Sequence, residues 1–191
     1  MEYTLQQNVK FDARPKKFIV WLFVVSSTIM FGGWTSYYIV FAASKGKGHG
    51  LVLPDTFIYS TIVLILSSLA LFMASRALRS ENRSRQRAFL WLTLVLGIAF
   101  GYLQFHAWSA LYQSGAVLVN NNAAISMIYI VSGFHLLHIV AGVVIVGSSL
   151  LGTYQSISHE RALYRQEVAA IFWHFIDILW IYLYVFLLLN S

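Results

Sequence analysis

Apolar residues fall in five long runs, over about 18–43, 55–78, 87–113, 123–152 and 168–189. Each exceeds the roughly 20 residues a helix needs to cross hydrocarbon, and tilt absorbs any excess. The segments between them are short and polar: Ser44–Gly50, Arg76–Arg87, Gly115–Asn122 and Tyr154–Gln166. None is long enough to fold by itself. The pattern therefore predicts an all-α integral membrane bundle of five transmembrane helices, with residues 1–191 forming a single transmembrane domain. Both prolines, Pro15 and Pro54, stand just ahead of predicted helices, where no interior hydrogen bond is lost. Asp55 is expected in the first turn of its helix, facing the positive end of the dipole.

The basic residues fix an orientation. Lys10, Arg14, Lys16 and Lys17 lie in the N-terminal segment, Arg76, Arg79, Arg83, Arg85 and Arg87 in the second connector, and Arg161 and Arg165 in the fourth. Only Lys45 and Lys47 lie on the other side, so the split is eleven to two. Basic residues collect in cytoplasmic loops, which predicts the N-terminus inside and the C-terminus outside. The same rule accounts for the net charge of +6 without a nucleic-acid partner. The first apolar run is too long for a cleavable signal and is read as the insertion signal, so no cleaved signal peptide is expected. No internal repeat of the kind common in transporters is seen.

Composition narrows the chemistry. At 59% hydrophobic and 10% charged residues, the chain is far from a soluble enzyme. Without cysteine it has no disulfide, thiolate zinc, iron–sulfur cluster or cysteine nucleophile. Small residues mark expected helix contacts: Gly97 and Gly101, Gly32–Gly33, Ser67–Ser68 with Ala70, and Gly133, Ala141 and Gly142. Trp34, Tyr37, Tyr38, Trp108 and Tyr112 fall toward outer helix ends, as an interfacial belt would.

Five ionisable residues lie well inside the runs: His106, His135, His138, His174 and Asp177. Such groups are costly in lipid and by default face protein or water. His135 and His138 share a face, as do His174 and Asp177, and Trp173, Asp177 and Trp180 form one stripe. His138 and Asp177 fall at similar depth, which makes His138 the expected partner of Asp177, with His135 next. Three uses compete: axial ligation of a haem, a proton relay, and a satisfied polar cluster that joins the fourth and fifth helices. Bulky Phe172, Trp173 and Phe175 around His174 argue against a porphyrin slot. One acid and three histidines supply only part of a relay. A haem b membrane anchor and a small proton-coupled transporter are the alternatives from other functional classes.

The fifth helix carries a specific pattern. Glu167, five residues, then Trp173-His174-Phe175-x-Asp177-x-x-Trp180 resembles the signature of subunit III of haem-copper cytochrome oxidases. Gly133-Phe134-His135-x-x-His138, with Ala141 and Gly142 after it, is similar to that family's histidine motif. The segment from Gly97 through Gln104 to Trp108, and Trp21 to Phe31 with Gly32–Gly33, also resemble it. The resemblance implies a short five-helix bacterial form, an accessory subunit with no catalytic centre in a proton-pumping oxidase. Haem and copper then belong to partner subunits I and II, this chain binds phospholipid, and a larger respiratory supercomplex can contain it. The implied location is the bacterial inner membrane, and a quinol oxidase is the alternative within the family. Glu167, His135, His138, His174, Asp177 and Trp180 are the implied site residues. The second-connector arginines, Arg76, Arg79, Arg83, Arg85 and Arg87, are candidates for lipid headgroups. The chain departs from the family at two places: Ser27 and Ala107 stand where carboxylates are usual.

Overall fold

Five α-helices form where the five apolar runs lie: α1 (Arg14–Lys45), α2 (Thr56–Arg79), α3 (Arg83–Gln113), α4 (Ala123–Tyr154) and α5 (His159–Leu189). The computed structural model describes residues 14–45, 53–119, 122–155 and 157–190. Lys47, His49 and Asn120–Asn121 lie outside the described residues. All five helices are long and apolar enough to cross a membrane.

Most boundaries move outward from those that hydropathy predicts. α5 begins at His159, nine residues before the expected 168, and α3 at Arg83, four before 87. The polar residues at these ends are adequate helix formers, so the helices continue beyond the apolar stretch. Asn82 caps α3 by accepting from the Arg85 amide at 3.1 Å, and Asn122 caps α4 by accepting from Ala124 at 3.0 Å. Pro15 falls inside the first turn of α1, where proline is tolerated. Asp55 is the cap residue of α2 and not part of its first turn, and its side chain makes no capping bond. Only Ser80–Asn82 separate α2 from α3, which makes those helices antiparallel neighbours.

Packing joins α2 to α3, α3 to α4, α4 to α5 and α5 back to α2, closing a ring of four helices. α1 lies outside that ring and touches α4 and α5. The ring is filled by large side chains from every member: Phe57, Leu64, Leu90, Phe100, Ile128, Trp173 and Trp180 are all buried. The outer surface is apolar instead, with Phe18, Ile29, Ile98, Leu137, Val144 and Ile178 exposed. That inversion suits hydrocarbon as solvent, because lipid imposes no penalty on such side chains.

Close approach rests on two glycines. A Cβ on Gly97 would lie 2.7 Å from Trp173, and one on Gly142 would lie 2.9 Å from the same ring. Trp173 thus occupies a slot between α3 and α4. The other expected contact points behave differently. Gly32 and Gly33 face open space, Gly101 and Gly133 have ordinary clearances, and Ala141 is exposed. The aromatic belt is also only partly present. Tyr37 and Tyr112 are exposed, but Tyr38 is buried and donates to the Asn190 carbonyl, and Trp108 donates to Ser132 at 2.9 Å.

Candidate polar site of the helix bundle

Apolar helices that must pack in lipid bury their few polar groups against one another. Here those groups are arranged in levels. The lowest lies at the basic end, where α2 ends and α3 begins. Gln166 of α5 donates to Ser75 of α2 at 3.0 Å. Its carbonyl oxygen accepts from Ser149 of α4 at 3.0 Å and from Gln86 of α3 at 3.3 Å. One side chain therefore ties all four ring helices. Gln86 and Gln166 carry no charge to mark them in the sequence, yet an amide in an apolar helix carries the same demand for partners as an ionisable group.

Glu167 follows Gln166 but points the other way, to an ion pair with Lys17 of α1. It sits in the third turn of α5, and Glu160 is the acid of the first turn. Glu167 is therefore a bridge between α1 and α5. Higher up, the Trp173 indole donates to Ser67 at 2.9 Å, and Ser68 and His174 Nδ1 are 2.6 Å apart. The two serines expected as small packing residues are thus hydrogen-bonding partners. Trp180 donates to Thr61 at 3.0 Å, so both tryptophans of the α5 stripe reach α2.

His138 and Asp177 do not meet. His138 Nδ1 lies 2.7 Å from the Phe134 carbonyl, which can only accept, so the ring proton is on Nδ1. Its Nε2 then accepts from Ser27 of α1 at 3.2 Å. That serine stands where the resemblance leads one to expect a carboxylate. Asp177 is 4% exposed and neither of its oxygens has a hydrogen-bond partner in the protein. Ser68 is beside it and close enough to interact, but that hydroxyl is engaged in bonding geometry with His174 alone.

His135 is fully buried, 4.8 Å from the Trp180 ring centre and 5.6 Å from that of Phe100, and neither ring nitrogen is hydrogen-bonded. Gln104, one turn beyond Phe100, is likewise buried without a partner. Ala107 is buried too. His106 points away from the bundle and is exposed. With aromatic rings on two sides, His135 has no open slab beside it for a porphyrin. Among the described residues, no group of three or more His, Cys, Asp or Glu is arranged to hold a metal.

The five connector arginines divide by role. Arg87 donates to the Thr153 carbonyl at 2.6 Å and lies over the Tyr154 ring, so it closes the C-terminal end of α4. Arg83 reaches only Gln86, at 3.5 Å, and Arg85 is exposed. Arg76 and Arg79 line a cleft of about 550 Å³ on the α2–α5 seam, together with Phe72, Ser75, Glu167 and His174.

Comparison with known proteins adds a family to this geometry. Residues 7–191 match the family model described as Cytochrome c oxidase subunit III. The chain is 28% identical over 174 residues to "Cytochrome c oxidase subunit 3" of Osphranter robustus, covering 86% of this chain and 65% of that protein. It is 27% identical over 174 residues to the protein of the same name from Dugong dugon, with the same coverage. For that of Damaliscus lunatus the figures are 28% over 178 residues, 86% and 65%. The chain thus spans 65% of the length of these relatives.

Proposed function

We infer the role of this chain from its family: it belongs to the cytochrome c oxidase subunit III family. It acts as an accessory, non-redox subunit that packs against the catalytic subunits I and II of a proton-pumping haem-copper oxidase. It stabilises the catalytic subunit, binds phospholipid and supports proton uptake during aerobic respiration. One observation carries this reading. The match runs over residues 7–191, and the α4 and α5 motifs within it supply contacts between helices.

No catalytic centre is assigned to this chain; haem and copper reside in the partners. The aromatic walls around His135 support that assignment. His135, His138, Trp180 and Glu167 are read as structural, because three of the four bond or stack onto a neighbouring helix and Glu167 holds α1; His174 contacts α2 through Ser68. Arg76, Arg79 and Arg85 are the residues left for lipid headgroups. The proposed topology keeps the arginine-rich end inside. A bacterial plasma membrane is the proposed location, on the resemblance to the bacterial form.

The test is isolation of the chain from its native membrane in mild detergent. Haem-copper subunits are expected to co-purify, and loss of the chain should hasten inactivation during turnover without altering the haem spectra. Purification as a lone chain with stoichiometric bis-histidine haem would overturn the reading.

A further inference from the structure

Among the described residues, Asp177 is the one buried polar side chain on α5 without a hydrogen-bond partner. Trp173, His174 and Trp180, on the same helix, all find hydroxyl partners on α2, whereas the carboxyl one turn from His174 finds none. Such a group serves poorly as glue, because glue requires a bond. Its neighbours show what it can do instead. His174 has Nδ1 on Ser68, and Ser68 is beside Asp177. The imidazole is only half-buried and lines the α2–α5 cleft. That cleft follows α5 from Leu163 to His174, about 16 Å of helix rise, and its mouth carries Arg76, Arg79 and Glu167.

We propose that the α2–α5 cleft, His174 and Ser68 form a proton-access route to Asp177, so that this carboxyl exchanges its proton with the arginine-rich side of the membrane. Three transfers suffice, and they balance. His174 accepts a proton at Nε2 from water in the cleft, leaving a hydroxide that the bulk re-protonates, and passes the Nδ1 proton to Ser68 Oγ. The hydroxyl proton of Ser68 goes to the Asp177 carboxylate, and turning of the serine and imidazole resets the path. The net result is one proton moved from cleft to carboxyl, with no charge left on either relay group. Beyond Asp177 the path stops. Trp173, Trp180 and Phe100 fill the ring, and His138 on α4 is committed to Ser27 of α1. His135, also on α4, stands behind Trp180 without a hydrogen bond. Arg76 and Arg79 raise the local concentration of anions at the mouth, while Glu167 is balanced by Lys17. Asp177 is thus a dead-end proton store and not part of a transmembrane wire.

The site rests on the membrane-spanning geometry and not on the oxidase assignment, and its test reads a single carboxyl. Infrared difference spectra of the intact complex locate the Asp177 carbonyl stretch by its loss in Asp177→Asn. In wild type that band is expected to respond to pH and to shift promptly on transfer to D2O. Ser68→Ala and His174→Phe should slow the exchange by about 100-fold, the scale of a lost proton-transfer group. Ser68→Thr, which keeps a hydroxyl, should restore it. The Ser68 pair decides the matter if His174→Phe fails to assemble. Exchange as fast in Ser68→Ala as in wild type, or a wild-type band that answers neither pH nor D2O, overturns the proposal.

Discussion

Substituting Gly97 by alanine should destabilise the bundle by about 2 kcal/mol, although it improves helix propensity. The new Cβ would lie 2.7 Å from Cη2 and 3.2 Å from Cζ2 of Trp173. Carbon atoms settle at about 3.5–4.0 Å, so one group must retreat by roughly 1 Å. The indole has little freedom to do so. Its Nε1 is bonded to Ser67 at 2.9 Å, and the opposite edge already lies where a Gly142 Cβ would meet it at 2.9–3.0 Å. Overpacking of this kind costs roughly 1–3 kcal/mol, and the rigid site puts this case at the top of that range. Replacing glycine within a helix returns up to about 1 kcal/mol. Gly147→Ala isolates that gain, since nothing lies within 4 Å of its Cβ position. Unfolding in mixed micelles with rising SDS fraction measures both. Gly147→Ala should be neutral or stabilising, Gly97→Ala destabilising, and the Gly97→Ala penalty should shrink in a Trp173→Phe background. If Gly97→Ala matches wild type, or its penalty is the same after Trp173→Phe, the slot is not what constrains Gly97.

Gln166→Leu removes the side chain that joins four helices and strands Ser75, Ser149 and Gln86; at under 1 kcal/mol per membrane hydrogen bond, a loss of about 2 kcal/mol is expected in the same SDS assay. Lys17→Ala should cost less than about 1 kcal/mol because the pair with Glu167 is part-exposed, and the effect should fade at high salt. Ser27→Ala leaves His138 Nε2 without its donor, so the change in protein stability should exceed that of Ser26→Ala on the exposed face, as parallel SDS titrations would show. Single cysteines near Arg83 and near Lys47, treated with an impermeant thiol reagent on sealed cells, test the orientation; labelling near Arg83 from outside would reverse it.

Hydropathy made the helices legible because lipid imposes one requirement along the whole chain, and the apolar runs meet it. It could not place the first turns of α3 and α5, which lie beyond the apolar stretch: Arg83–Gln86 is helical through propensity and the Asn82 cap, and His159–Gln166 through propensity, with only Ala162, Leu163 and Tyr164 as apolar residues. The site was legible in part. Periodicity put Trp173, Asp177 and Trp180 on one stripe, and all are buried. Depth alone could not choose partners. It paired His138 with Asp177, whereas the position of α1 over α4 gives His138 to Ser27. Nothing in the spacing of α1 revealed which of its faces would meet α4. The hub at Gln166 was hidden for another reason, since an uncharged amide does not stand out when only titratable groups are tracked.

The place of α1 outside the ring also sets a timetable during synthesis. Its partners come late: Ser27 bonds a residue 111 positions on, Lys17 one 150 on and Thr35 one 147 on. At about 5–20 residues per second, α1 must wait roughly 6–22 s in the bilayer before His138 exists, and longer for the others. Hydroxyls can wait at little cost, because they bond to their own helix, as Thr35 does to the Phe31 and Gly32 carbonyls. A carboxylate at Ser27 would wait at greater cost, since a mid-helix charge costs roughly 3 kcal/mol on the insertion scale. With a hydroxyl there, α1 can remain in lipid unattended until α4 and α5 arrive.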